Sequence, residues 1–102
     1  MAIEKLYDDK FKELLKVSDP KEVDKRAMKI FNKEVYLSTR KNKKYMIKDD
    51  NNRFQHFGDI RYEDATYHKN PERIKQFKQR NKRWANNENK FSPAFLSYVL
   101  LW

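Results

Sequence analysis

Hydrophobic residues recur at helical spacing over the first third of the chain, with charged residues on the opposite face. This pattern predicts a helix over residues 2–16 and a second helix that ends near residue 33. Between them, Asp19 suits an N-cap, Pro20 suits the first helical position, and Glu22 can complete a capping box. Residues 1–33 are therefore predicted to form a helical arm or helical hairpin. The apolar positions that define the two helical faces are Ile3, Leu6, Tyr7, Phe11, Leu14, Leu15, Val23, Ala27, Ile30 and Phe31.

From residue 34 the pattern changes to short runs rich in β-forming residues. Segment 44–48 alternates only imperfectly between apolar and polar positions and segment 53–57 alternates more clearly, and they flank Asp-Asp-Asn-Asn, a strong turn signal. They predict a β-hairpin over residues 44–57 in a small antiparallel sheet, with residues 34–39 as a third strand. Gly58, the only glycine, follows the hairpin and is expected to supply a backbone conformation that other residues avoid.

The last third of the chain predicts two further helices. Asn-Pro at 70–71 and Ser-Pro at 92–93 each combine a cap with a first-turn proline. They predict a helix from residue 71 to about residue 86, with Ile74, Phe77 and Trp84 as its seam, and a short helix after residue 93. Residues 59–70 show no helical period. The fold class is therefore α+β, with residues 34–102 forming an α+β domain beside the 1–33 arm in one compact unit.

Composition narrows the classes of function. The 102 residues contain no cysteine, which excludes disulfides, thiol nucleophiles and cysteine metal sites, and one glycine is too few for a phosphate-binding loop. The longest apolar run, residues 98–102, is too short to span a bilayer. We therefore expect no cofactor, no metal, no membrane association and no small-molecule substrate.

The formal charge of +9 is concentrated in the second part of the chain. Residues 1–33 hold nine basic and seven acidic residues, whereas residues 34–102 hold fifteen and eight. A basic helix after residue 69 predicts salt-dependent, sequence-independent binding of DNA or RNA. The alternatives are a solvated face and a surface for an acidic protein partner. The candidate contact residues are Lys69, Arg73, Lys75, Lys78, Arg80, Lys82 and Arg83 in the helix, and Arg40, Lys41, Lys43 and Lys44 before the hairpin.

Polar residues fall at every second position between the hairpin and the basic helix. They are Tyr62, Asp64, Thr66 and His68. In an extended chain these four would share one side. A catalytic interpretation would use Asp64 and His68 either as a carboxylate–histidine pair that acts as a general base or as metal ligands. The corresponding function would be that of a small metal-dependent nuclease. The structural alternative, which we expect, is a hydrogen-bonded network in which Asp64 and Thr66 bond loop amides. His56 is likewise expected to pack beside Phe54 or Phe57, and we expect no enzyme.

These motifs also carry a resemblance. The matching positions are Phe57-Gly58, Tyr62-x-Asp64-x-Thr66-x-His68-Lys69, Arg73, Phe77, Arg80, Ser92-Pro93-x-Phe95 and Leu100-Leu101-Trp102. Over residues 43–102 the chain resembles a family of small basic proteins of large DNA viruses and some tailed phages, including crAss-like phages. It departs from that family at Asn70 and Asn81, where an acidic residue and a histidine are common. The resemblance implies a virion component, an auxiliary capsid protein, and carries over no catalytic residue.

Together these observations predict a non-enzymatic virion structural protein that bridges or stabilises major capsid subunits. It would be made in the host cytoplasm and reside in the capsid, with packaged DNA as a further partner. Its contacts with capsid subunits would bury aromatic residues and the C-terminal helix. Ion pairs made by Lys and Arg side chains would fix how the protein aligns with those subunits. The alternative is a sequence-independent nucleic-acid-binding protein that uses the helix over residues 69–83. The residues expected to have structural roles are Phe57, Gly58, Tyr62, Asp64, Thr66, His68, Trp84 and Trp102.

Overall fold

The first two helices follow the predicted break at residues 18–20. A computed structural model describes residues 8–102, in which α1 is Asp8–Leu15 and α2 is Pro20–Phe31. The part of the predicted first helix before residue 8 lies outside the described residues. The Asp19 side chain accepts hydrogen bonds from the amides of Lys21 and Glu22, at 3.2 and 3.4 Å. Asp19 is therefore the N-cap of α2, as predicted.

The predicted capping box differs in its second half. The amide of Asp19 donates to the Thr66 hydroxyl at 2.9 Å. The Glu22 carboxylate accepts instead from Arg26 Nε at 3.2 Å, one turn further along α2. The start of α2 is thus tied to a residue 47 positions away, and a local motif cannot predict such a contact.

A small antiparallel sheet follows α2. Its strands are β1 (Tyr36–Leu37), β2 (Lys43–Lys48) and β3 (Phe54–Asp59), arranged in the order β1-β2-β3. β2 and β3 form the predicted hairpin, with Tyr45 opposite Phe57. β1 is shorter than the predicted strand over residues 34–39, because the amide of Val35 donates to the Asp24 carboxylate at 3.1 Å rather than to a strand.

Gly58 lies within β3 rather than after it. Its φ of +78° is in the left-handed region, so the predicted special backbone is confirmed. A Cβ at this position would lie 3.0 Å from Leu101 Cδ1 and 3.1 Å from the Lys44 side chain. Both the backbone and the packing therefore favour glycine.

Short helices make up the rest of the described chain. They are α3 (Ala65–His68), α4 (Pro71–Arg80), a 3₁₀ helix (Lys82–Asn86), and α5 (Pro93–Leu96), which continues as a π-helical turn (Ser97–Leu101). The helix starts predicted at Asn-Pro and Ser-Pro are confirmed. None of the helices described in residues 8–102 is long and apolar enough to cross a membrane.

Two expectations for this part of the chain are wrong. α3 lies in the segment that showed no helical period, because the Asp64 side chain caps it by accepting from the Thr66 amide. The helix predicted over residues 71–86 ends at Arg80 and resumes as a 3₁₀ helix. At the break, Asn81 Nδ2 donates to the Phe77 carbonyl at 3.1 Å, a local bond that competes with regular helix.

The hydrophobic core draws on both ends of the described chain, and the α+β class is confirmed. Its buried members are Leu14, Val23, Ala27, Val35, Leu37, Tyr45, Ile47, Phe57, Leu96, Leu100 and Leu101. Leu100 and Leu101 are 0% and 2% exposed. They already pack inside this domain, so these two side chains are not available for burial against a neighbouring subunit.

Candidate nucleic-acid interface

α4 carries most of the candidate contact residues, and a cap fixes where it begins. Asn70 Oδ1 accepts from the amides of Glu72 and Arg73, at 3.0 and 3.2 Å, and Pro71 occupies the first turn. The acidic first turn and the basic last turn also complement the helix dipole. Local sequence signals therefore place the basic helix.

One aromatic seam attaches α4 to the rest of the protein. No residue of α4 is fully buried. The Phe77 ring stacks on Trp102, with centroids 4.1 Å apart and planes 5° from parallel, and it meets Trp84 edge-on at 5.8 Å. These contacts give both tryptophans the structural role that the sequence predicted. Apart from the partly buried Ile74 and Lys78, the other residues of α4 are exposed.

Exposed cations lie just before α4, along α4 and on its 3₁₀ extension, and we call this set the α4 basic surface. Its members are Lys69, Arg73, Lys75, Arg80, Lys82 and Arg83. Glu72 is the only acidic residue between positions 69 and 83. Arg73 forms an exposed ion pair with Glu63, at 2.8 Å. Such a pair contributes at most about 1 kcal/mol, so a phosphate can replace Glu63 at low cost.

Lys78 differs from its neighbours because it faces a groove between α2 and α4. The groove has a volume of about 420 Å³, and we call it the α2–α4 groove. Arg26 and Lys29 of α2 lie across it from Lys78, and Tyr98 and Trp102 also line it. Sequence reasoning missed the two α2 cations because acidic residues nearly balance the charge of residues 1–33. Their i, i+3 spacing on a helix is the signal that identifies them.

The basic cluster before the hairpin has only two fully exposed members, Arg40 and Lys41, while Lys43 is half-buried at the start of β2. Lys10 of α1 reaches this corner, and its Nζ donates to the carbonyls of Ser38 and Arg40, each at 2.6 Å. Burial lowers the pKa of Lys10. The corner is therefore a second basic region, built from α1 as well as from the β1–β2 turn.

His56 lies near the cations of this corner, which contribute to lowering its pKa. Burial lowers its pKa, and Arg40, Lys10 and Lys43 lower it further. Its Nδ1 lies 2.7 Å from the Ser38 hydroxyl, so the ring is held by a strand neighbour. His56 therefore has a structural role beside the cations.

Lys44 lies in the core, which corrects its inclusion among the surface contacts. Its Nζ lies 2.9 Å from Asp64 Oδ2, and the two side chains are 2% and 1% exposed. The Val17 carbonyl is a further, longer contact at 3.4 Å. Burial lowers the pKa of Lys44, and the charge of Asp64 opposes that shift. A phosphate cannot reach this ammonium in the folded protein.

Asp64 and Thr66 form a buried network of the kind expected from the structural alternative. Asp64 Oδ1 accepts from the Thr66 amide at 3.0 Å and from the Thr66 hydroxyl. The same hydroxyl lies 3.2 Å from Ser18 Oγ, which in turn lies 2.7 Å from the Tyr45 hydroxyl. The Asp64 carboxylate is thus buried and held by internal donors. This arrangement suits a structural role better than metal binding or proton transfer.

The four alternating residues do not share one side, because α3 turns the chain after Asp64. Tyr62 is 66% exposed, whereas the His68 ring packs on Trp102 with centroids 5.1 Å apart. His68 Nδ1 accepts from the Asn70 amide at 2.9 Å, which assigns the proton of the neutral ring to Nε2. Burial lowers the pKa of His68, and Arg73 lowers it further.

Residues 8–102 contain no group of three or more histidine and carboxylate side chains that could hold a metal ion.

Comparison with known proteins identifies one similar family. Residues 33–81 match a family described as "Family of unknown function (DUF5754)". The matched segment includes the three strands, α3 and α4, and therefore much of the α4 basic surface. No curated protein and no solved structure matches the chain. The family description names no activity, partner or location.

Proposed function

We propose that the protein is a non-enzymatic nucleic-acid-binding protein that holds DNA or RNA through the α4 basic surface without reading its sequence. The observation that carries this proposal is the set of six exposed cations between positions 69 and 83, five on α4 and its 3₁₀ extension and Lys69 just before α4, opposed within that stretch only by Glu72. Cations arranged in this way neutralise phosphates and release condensed counterions. Since phosphates carry no sequence information, affinity should depend on salt much more than on sequence.

The arrangement of the cations supports contact along the nucleic-acid backbone. Arg73 and Arg80 are seven residues apart on α4 and therefore project from the same flank, about 10 Å apart along the axis. Lys75 lies on the opposite flank, and Lys82 and Arg83 extend the surface beyond the break at residue 81. The surface thus presents positive charge over the full length of α4.

The test compares two variants that remove the same charge from different places. Arg80→Gln/Lys82→Gln/Arg83→Gln neutralises three members of the α4 basic surface. Lys12→Gln/Lys16→Gln/Lys21→Gln removes three exposed cations from α1, from the turn that follows it and from the first turn of α2. Fluorescence anisotropy with a labelled DNA duplex should show a loss of about tenfold or more for the first variant and little change for the control. Equal losses in both variants would show that net charge, rather than α4, determines binding.

A second candidate is the virion structural role implied by the resemblance, and one observation favours it. Leu15 and Tyr67 are 48% and 45% exposed, and together with Lys69 they line one pocket of about 260 Å³. An exposed apolar pair beside a cation suits docking on an acidic protein surface. The proposed partner is the major capsid subunit.

Mass spectrometry of purified virus particles tests this second candidate. The protein should be present in particles, and Leu15→Gln/Tyr67→Gln should reduce its amount there. Phe54→Gln is the matched control, since Phe54 is 39% exposed on β3 and lies away from that pocket. Absence of the unaltered protein from purified particles would exclude the virion role.

A further inference from the structure

Two hollows adjoin along the C-terminal half of α2. The first is the α2–α4 groove, and the second, of about 480 Å³, is lined by Phe31, Phe91 and Phe95. We call the second the Phe91 hollow. Ile30 lines both hollows and is 49% exposed, so the two are neighbours. None of the residues that line the two hollows belongs to the α4 basic surface.

Each hollow combines aromatic rings with ammonium groups. In three places a lysine Nζ lies 4.6–5.8 Å from the centroid of an aromatic ring. The pairs are Lys78 with Tyr98 in the groove, and Lys33 with Phe91 and Lys90 with Phe95 in the Phe91 hollow. The repeated unit is therefore an aromatic ring with a lysine ammonium over its face, which a base must displace in order to stack there.

The charge of the two hollows is strongly positive. Arg26 is engaged, because its Nε bonds Glu22 and its Nη1 donates to the Leu100 carbonyl at 3.3 Å. Lys33 donates to the Asp49 carbonyl at 3.4 Å, and Lys29, Lys78 and Lys90 are the other lysines that line the two hollows. Asp50 is the one acidic residue among the described residues that line the two hollows. The occupant should therefore carry negative charge at several points along its length.

We infer that the two hollows bind single-stranded nucleic acid, an inference that rests on the proposed function and names the form of the ligand. Unpaired bases stack on aromatic rings while adjacent phosphates bind lysines, and this combination is typical of single-strand sites. A duplex keeps its bases paired and inaccessible to Tyr98 or Phe91. An acidic peptide satisfies the lysines, but carboxylate side chains do not stack on the rings. The ring-and-lysine pairs therefore fit single strands best.

The experiment measures the affinity of a labelled oligothymidylate and of a duplex of the same length. Tyr98→Leu keeps an apolar side chain in the groove but removes the stacking face, and Tyr62→Leu is the control at an exposed tyrosine outside both hollows. Tyr98→Leu should weaken oligothymidylate binding about tenfold, as expected for the loss of one base stack, and leave duplex binding within about twofold. Lys29→Gln/Lys33→Gln/Lys90→Gln should likewise weaken oligothymidylate binding more than duplex binding. This variant replaces Tyr98→Leu in the test if thermal melting shows that Tyr98→Leu is unfolded.

Each contrary outcome has a distinct meaning. Duplex binding without single-strand binding, or equal effects of Tyr98→Leu on both, would overturn this inference and leave the proposed function intact. Displacement of the oligonucleotide by polyglutamate at the same charge concentration would overturn it in favour of an acidic protein partner. Failure of the unaltered protein to bind either nucleic acid would refute the proposed function as well.

Discussion

Lys44 Nζ lies 2.9 Å from Asp64 Oδ2 in the core, and the two side chains are only 2% and 1% exposed. The pair joins β2 to the residue that caps α3, and the Lys44 side chain also packs against Gly58. Burying two charges is costly, and removal of one partner leaves the other charge uncompensated. The pair therefore makes the position of the 59–70 segment dependent on β2.

Lys44→Met should lower the free energy of unfolding by about 3–5 kcal/mol, because it leaves the Asp64 carboxylate buried without its cation. Urea denaturation measures this change. Lys48→Met is the matched control, since Lys48 is exposed on the same strand, and it should change stability by less than about 0.5 kcal/mol. Similar small effects for both variants would contradict the structural role of the pair.

Gly58→Ala should destabilise the fold by about 2 kcal/mol. The residue has a φ of +78°, and an added Cβ would press on Leu101 and on the Lys44 side chain. The melting temperature measures the effect. An unchanged melting temperature would mean that the backbone at residue 58 relaxes without strain.

Phe77→Ala should loosen α4 while leaving the sheet intact. The substitution removes the ring that stacks on Trp102 at 4.1 Å and contacts Trp84, at a cost of about 2 kcal/mol. Amide hydrogen exchange should become faster in α4 than in β2 and β3. Uniform acceleration across the chain would indicate that α4 unfolds only together with the core.

His56 and His68 should make the fold less stable in mild acid. Burial is the main cause that lowers both pKa values below 6.5, and nearby cations contribute. Below that pH the unfolded chain binds more protons than the folded chain, so the free energy of unfolding falls as the pH drops from 7 towards 5. His56→Gln/His68→Gln should reduce this dependence in urea denaturation at a series of pH values. Greater stability of the unaltered protein at pH 5.5 than at pH 7 would contradict this prediction.

The sequence predicts the helix starts well because the signals for them are local. Asp19, Asn70 and Ser92 each act as the N-cap that precedes a first-turn proline, and all three helices begin as expected. The signal for the hairpin is also local, since a turn motif separates two segments that are rich in β-forming residues. Within α4, the cap and the charges are also contiguous in sequence, so the α4 basic surface was predictable as a set.

Features that depend on distant partners could not be predicted in this way. In the sequence, Lys44 is one member of a basic run. Its burial is explained by its ion pair with Asp64, which lies 20 residues further along the chain. The α2–α4 groove likewise combines Lys29 with Lys78 and Tyr98, which only the packing of three segments brings together. A count of charges along the chain adds each of these cations to its neighbours in sequence. It therefore does not show that the cations of the groove form one surface.

The central claim, that α4 binds nucleic acid through phosphate contacts, is tested most directly by the salt dependence of duplex binding. The logarithm of the observed association constant should fall linearly with the logarithm of the salt concentration, with a slope of about −0.9 for each phosphate neutralised. Arg80→Gln/Lys82→Gln/Arg83→Gln should make this slope shallower by about 2–3, whereas Lys12→Gln/Lys16→Gln/Lys21→Gln should leave it unchanged. The same slope for both variants and the unaltered protein would contradict the claim.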